Sequence, residues 1–312
     1  MRELKFNLNI DASALLNPNP EAFYGKAYIT EDVANNFRTL PGIKTKTKLA
    51  TTSFTSLLKD SSCDFVAGAQ DLSAIEIDVT PVSALAEICR FDIESSFLSM
   101  NMAKGAGASF EVQPFMSFYW DEMAKEISAE IEGQRWRGNT ATATFTGATA
   151  YLKLVDGYEK LLAADTAVID ITATATTVSN VLANIASVYN SMAINVPALI
   201  NRTEDLRLYV SPNVASAYRQ AVAAGNTQSF VTKNLELSYL DIKLVICQGM
   251  SSDKIVLTLK DNLIYAFDGE GDGKALKAVN LEESIAEPKL RTRTNLKVGF
   301  TVVNGGEIVY FS

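Results

Sequence analysis

The sequence predicts a mixed α+β fold in which one long helix stands among many short strands. Three observations predict it. Apolar residues recur every three to four positions between Pro114 and Gly138, the period of an amphipathic helix. Residues alternate with period two around Lys44–Lys48 and Ile75–Val79, the period of strands. The chain closes on a glycine-marked strand pair within residues 297–312, with Gly305 and Gly306 between the strands. At 312 residues the chain is long enough to bury a core in one large or two smaller domains. Its 47% hydrophobic and 21% charged content excludes wholesale disorder.

Composition narrows the function classes. The formal net charge is −8 and the sequence pI is about 4.8. A protein that grips phosphate backbones carries a basic patch, so sequence-specific DNA binding is not expected. Histidine is absent, which removes the commonest general base and metal ligand and every nucleophile system built on His. Carboxylate or lysine chemistry remains open on this ground alone. Cys63, Cys89 and Cys247 are far apart, odd in number and form no C-x-x-C pair. With no signal peptide at Met1, they read as free thiols in a reducing cytoplasm, the alternative being an intersubunit disulfide. No apolar run approaches the ~20 residues that span a bilayer, so no membrane contact is expected.

Residues 1–42 read as an arm. Leu4, Phe6, Leu8 and Ile10 alternate with polar neighbours, and Asn17-Pro-Asn-Pro20 biases the backbone to extended geometry. A short helix is expected over Asp32–Arg38, stopped by Pro41-Gly42. A frayed terminus and an arm that orders on a neighbouring subunit both fit.

Residues 43–80 read as a long β-hairpin. Lys44, Lys46 and Lys48 alternate with Thr45 and Thr47, and Glu76 and Asp78 alternate on the return strand. A long isolated hairpin is marginal in water and usually rests on something. The charges fit a solvated face, or a hairpin lying across an adjacent subunit and setting its register.

A connector is expected from Pro81 to Met102, with a short capped helix at Phe97–Met100 and a flexible joint at Gly105–Ser109. The joint is no nucleotide loop: Phe110 stands where the third glycine belongs, and no βαβ unit surrounds it. The helix follows, expected over 114–138. Met116, Trp120, Met123, Ala124, Ile127 and Ile131 form its apolar stripe, and Asp121, Glu122, Glu126, Glu130 and Glu132 its acidic surface. Pro114 suits its first turn, and Arg135, Arg137 and Gly138 suit its end. At 1.5 Å per residue it spans roughly 35 Å. Its acidic face, Glu122, Glu126 and Glu130, is a place where a basic hairpin could dock.

Residues 139–177, rich in Thr and Ala, favour strands or an extended loop. Helices are expected at 178–195 and at 215–224, the second entered through Ser211-Pro212 and stopped by Gly225. Strands are expected at 206–210, 240–246, 255–259, 263–267, 276–283, 290–303 and 307–311.

The best metal candidate is the turn Asp268-Gly-Glu-Gly-Asp-Gly-Lys274. It begins like a calcium loop, but Val279 stands where the bidentate glutamate is needed, so the match fails. Asn201-Arg-Thr203 fits a glycosylation sequon and reads as chance without a secretory signal. No phosphate loop, nucleophile elbow or metal cluster is present. No catalytic residue, metal or cofactor is therefore expected.

Four places carry a family resemblance: Glu76 to Leu98, Trp120 to Gly138, Leu208-Tyr-Val-Ser-Pro-Asn-Val-Ala-Ser-Ala-Tyr218, and the last twenty residues. In this order they resemble the major capsid protein of tailed bacteriophages, the Hong Kong ninety-seven type. They match, in turn, the segment leaving that family's extended loop, its spine helix, the strand-to-helix step of its axial domain and its closing peripheral strands. The resemblance is one of fold-level order.

It implies an N-terminal arm (1–42), an extended loop (43–80), a peripheral domain (81–177) holding the spine helix, an axial domain (178–267) and a return to the peripheral domain (268–312). It implies self-assembly into pentamers and hexamers of an icosahedral shell around double-stranded DNA held by weak, non-specific contact. Its intersubunit contacts would involve Lys44, Lys46, Lys48, Glu76, Asp78, Glu122, Glu126 and Glu130. Portal and decoration proteins would be partners. So would a separate scaffold, because the chain leaves little room for a cleavable N-terminal one. The setting would be the virion, and the host cytoplasm during assembly. The competing readings are an encapsulin-type cellular compartment, a carboxylate-based enzyme and a monomeric binding domain.

Overall fold

The computed structural model describes residues 35–55, 57–58, 69–89, 112–225, 237–268, 276–281, 286–287 and 289–312. Most of the arm, the hairpin tip with Cys63, the Phe97–Met100 helix, the Gly105–Ser109 joint and residues 269–274 of the acidic turn lie outside the described residues. The chain divides into two compact units. Among the described residues the larger comprises Asn36–Thr80, Gly133–Phe267 and Val298–Ser312, and the smaller Pro81–Glu132 and Asp268–Lys297.

The larger unit is organised by a strand that is almost wholly apolar. β9 (Ile255–Leu259) is buried at every position, and a strand buried on both faces belongs at the centre of a sheet. It sits in a six-stranded mixed sheet of order β5-β13-β9-β6-β8-β7. The others are β5 (Ile169–Ile171), β6 (Leu206–Val210), β7 (Ser238–Tyr239), β8 (Ile242–Ile246) and β13 (Val309–Phe311). β6 runs parallel to β8 and antiparallel to β9. Two helices cover this sheet, α3 (Val181–Asn195) and α5 (Pro212–Gly225). Ile185, Val188 and Met192 of α3 and Val214 and Ala215 of α5 close the core against Leu208, Val210 and Leu257.

A second sheet of this unit joins β1 (Arg38–Pro41), β10 (Leu263–Phe267) and residues 298–302 of the long strand β12 (Lys289–Val302). Around it gathers an aromatic cluster. Phe37, Trp136, Tyr158, Tyr209, Tyr265 and Phe300 stand in ring contacts of 5.1–6.2 Å, within the range of favourable offset and edge-on geometries. The Tyr209 hydroxyl donates to the Asn36 carbonyl at 2.5 Å.

The hairpin is present as two nine-residue strands, β2 (Thr47–Thr55) and β3 (Ala69–Ile77), paired antiparallel as a sheet of their own. Its foot is fixed where Ile43, Ile77 and Val79 pack with Ile264 and Ala266.

In the smaller unit β4 (Thr80–Cys89) and β11 (Leu276–Asn280) both pair with the first part of β12. Helix α1 (Val112–Arg137) contributes residues 112–132 to this unit. Its Tyr119 hydroxyl meets the Thr292 hydroxyl at 3.0 Å, and Thr292 also donates to the Met123 sulfur at 3.9 Å. Helix therefore lies on the sheet's inner face, where Leu290, Thr292, Thr294 and Leu296 are buried.

Several expectations are corrected. Arg38–Pro41 is a strand, not the end of a helix, because it finds a parallel partner in β10. Residues 80–89 form a strand rather than a connector. Their burial alternates from Pro81 to Glu87, and Pro81 needs no donor at its first positions. Residues 139–177 hold a 3-10 turn (Gly147–Lys153), α2 (Tyr158–Ala164) and only one short strand. The strand with the lysines begins at Thr47, so Lys44 and Lys46 precede it. Strand β13 is shorter than the expected 307–311 and lies in the six-stranded sheet with β9. A further short helix, α4 (Pro197–Ile200), follows α3. No helix of the described residues is long and apolar enough to cross a membrane.

Candidate assembly surfaces

The charged stem of the hairpin comes from strand register. Lys48 stands directly opposite Glu76, their charged groups 3.5 Å apart. One step towards the foot, Lys46 reaches Asp78 at 3.3 Å. Two of the three predicted lysines thus meet the two predicted acids within the same chain. Thr51 and Ser73 share a hydroxyl hydrogen bond of 2.7 Å further out. Beyond it Leu72 is 73% and Leu58 96% exposed. A two-stranded sheet open on both faces has little to bury itself against, and its apolar side chains mark an unmet surface.

The acidic face of α1 is the second surface. Trp120, Ala124, Ile127 and Ile131 are buried, and Asp121, Glu122 and Glu126 are exposed on the other side. Glu122 pairs with Lys125 at 3.0 Å. Glu122, Glu126 and Glu130 follow at four-residue spacing, where like charges repel. Burial, and then the charge of Glu126, pushes the Glu130 carboxyl above its ordinary range. The structure brings the stem charges together with one another.

The end of α1 departs from a simple dipole-capped terminus. Arg135 is 2% exposed and lies over the Phe37 and Tyr265 rings, 4.9 and 5.0 Å from their centroids. Arg137 donates from Nε to the Gly249 carbonyl at 2.9 Å. Gly138 is needed for close approach rather than for a positive φ: a Cβ there would run into the Val155 carbonyl oxygen.

A third surface was not foreseen. On the outer face of the β4–β12–β11 sheet stand Glu87, Lys277, Arg291 and Arg293, all exposed. Glu87 accepts from Lys289 at 2.9 Å and from Arg291 Nε at 2.5 Å, and these cations hold its carboxyl below its ordinary range. The signal was the alternation Arg291-Thr-Arg293, but its sheet partners come from segments more than 200 residues away as well as from nearby.

Elsewhere, charges are engaged structurally. A cleft of about 520 Å³ is lined by Arg137, Phe145, Glu159, Lys160 and Ser251 among others. Glu159 accepts from the Ser251 amide at 2.7 Å and hydroxyl at 2.6 Å, and Lys160 pairs with Asp156 at 2.7 Å. Among the described residues no group of three acidic or cysteine side chains converges to hold a metal. Of the described cysteines, Cys89 is half-buried and Cys247 buried, and both are free thiols.

No protein-family model matches the chain, and no curated protein is detectably similar to it in sequence. Solved structures are similar along nearly the whole chain. A chain of the satellite phage P4 procapsid with its size-determination (Sid) protein superposes with a TM-score of 0.60 at 9% identity, covering 93% of this chain and 96% of that one. The capsid of the Myoviridae phage XM1 gives 0.56 at 10% identity, covering 89% and 90%. The capsid of an empty GTA particle gives 0.51 at 11%, covering 92% and 90%. The fold is that of the tailed-phage capsid proteins.

Proposed function

We propose that this chain is a shell-forming structural subunit, the major capsid protein of a tailed phage, and not an enzyme. The observation that carries the reading is the hairpin: two nine-residue strands that join no other sheet among the described residues, exposing Leu58 and Leu72 beyond a charge-paired stem. Such an arm is stabilised by a neighbouring surface, and on a capsid fold that neighbour is another copy. The stem residues Lys44, Lys46, Lys48, Glu76 and Asp78 and the helix residues Glu122, Glu126 and Glu130 are the candidate contact set. Many weak contacts of this kind, summed over a closed symmetric lattice, make a stable container.

The reading extends to pentamers and hexamers closing an icosahedral shell around double-stranded DNA. A net charge of −8 suits a wall that does not hold the genome tightly. Scaffold, portal and decoration proteins are the expected partners, assembly takes place in host cytoplasm, and the virion is the final location.

Sedimentation of the purified protein with negative-stain imaging tests this. Closed shells or five- and six-membered rings are expected. A species that stays at the 33.9 kDa of one chain, alone and with co-expressed scaffold candidates, overturns it.

A further inference from the structure

The outer face of the β4–β12–β11 sheet is built against its own stability. In the antiparallel register Lys277 stands directly opposite Arg293, and Val279 opposite Arg291. Like charges facing each other across a sheet are destabilising. Arg291 is balanced by Glu87 at 2.5 Å. Arg293 donates from Nε only to the neutral Asn295, at 3.1 Å. Among the described residues no carboxylate pairs with Arg293 or Lys277. Between and beside these cations Leu85 is 71% and Val279 48% exposed. Basic and apolar groups on one flat face match the composition of protein contact surfaces. A phosphate backbone fits less well, because the face carries a carboxylate and, among the described residues, no aromatic ring for stacking.

The same unit carries the opposite charge on its helix. Helix α1 packs on the inner face of this sheet through Tyr119 and Met123, and its Glu122 and Glu126 stay exposed beside that contact. Along the helix Glu122, Glu126 and Glu130 repeat at i, i+4, again like beside like, and Lys125 offsets only Glu122, at 3.0 Å. The two faces also share a spacing. Four helical residues advance about 6 Å, and Lys277 and Arg293, directly opposite on paired strands, stand about 5 Å apart.

We infer that the outer sheet face, through Lys277 and Arg293, is a docking surface for the acidic face of α1, Glu122 and Glu126, of a second copy of this chain. The contact is head-to-tail. One patch meets a different patch, so repetition generates rings when the rotation closes. Each face removes the like-charge strain of the other, and Leu85 and Val279 are covered in the process. The inference rests on the shell reading and assigns one of its interfaces.

Charge reversal in the full chain tests it, read by sedimentation and by thermal melting. Lys277→Glu with Arg293→Glu should give a folded subunit melting no lower than wild type, with large assemblies reduced at least tenfold. Glu122→Lys with Glu126→Lys should reduce them likewise, and the four changes together should restore them. Normal assembly of either double variant overturns the inference while leaving the shell reading intact. So does a quadruple variant that melts normally but fails to assemble where the doubles also fail. Wild-type protein that never exceeds subunit size overturns both.

Discussion

Lys48 and Glu76 face each other across the hairpin as direct register partners with their charges 3.5 Å apart. Both side chains are more than half exposed, where an ion pair is worth only ~0–1 kcal/mol. Lys44→Glu, Lys46→Glu and Lys48→Glu together should therefore leave the subunit folded and block or misdirect assembly. Adding Glu76→Lys and Asp78→Lys restores the pairs within the chain. If the lysines act on a neighbour, shells remain absent by negative stain in the five-residue variant. Restored shells would assign the lysines to the hairpin alone.

Arg135 is the interior's most demanding side chain. A guanidinium desolvated over aromatic faces contributes about 2 kcal/mol or more, and its stem fills space that alanine leaves empty. Arg135→Ala should lower subunit stability by roughly 2–4 kcal/mol in urea unfolding. Arg135→Lys should recover only part, because an ammonium cannot lie flat against both Phe37 and Tyr265.

Backbone contact at the end of α1 leaves no room for a methyl group. A Cβ on Gly157 would sit 2.5 Å from the Gln134 carbonyl and 2.6 Å from that of Trp136. Neither oxygen can move without breaking the helix end. Gly157→Ala should cost at least about 1–3 kcal/mol and lower the melting temperature by several degrees.

Two carboxylates predict opposite pH effects. Glu130 has a raised pKa in the folded chain, from burial first and Glu126 second. The folded state then binds this proton more tightly, so its ionisation lowers stability as pH rises from the ordinary 4.5 through the higher folded value. Glu130→Gln should melt higher than wild type at neutral pH, and the advantage should vanish below about 4.5. Glu87 has a lowered pKa, from Lys289 first and Arg291 next. Its stabilisation is present above 4.5 and lost as pH falls through the folded value. Glu87→Gln should flatten that acid limb in melts taken from pH 6 downwards.

The elements with one strong local period were legible in the sequence. The apolar stripe Trp120–Ile131, the nearly all-apolar run Ile255–Leu259 and the turn Ser211-Pro212 each encode their structure within a dozen residues. Elements defined by distant partners were not. Arg38–Leu40 is a strand only because β10 lies beside it, and Pro81 hid a strand that pairs with β12. The Thr- and Ala-rich 139–177 gave no period because its helices are short and anchored singly, through Leu152, Tyr158 and Leu162. The charges of the hairpin stem were visible, but their pairing needed the register. The basic sheet face needed residues from three segments of the chain at once.

The hairpin's isolation has a kinetic corollary. Amide protons of β9, buried in the middle of six strands, exchange with solvent only when the larger unit opens as a whole. Those of β2 and β3 are protected by one partner strand and a few weak cross-strand contacts, so they exchange through local opening in the free subunit. A neighbour seated on the hairpin would slow them selectively. The ratio of deuterium uptake in 47–55 to that in 255–259 is thus a built-in gauge of how many copies are engaged, readable during assembly without any label.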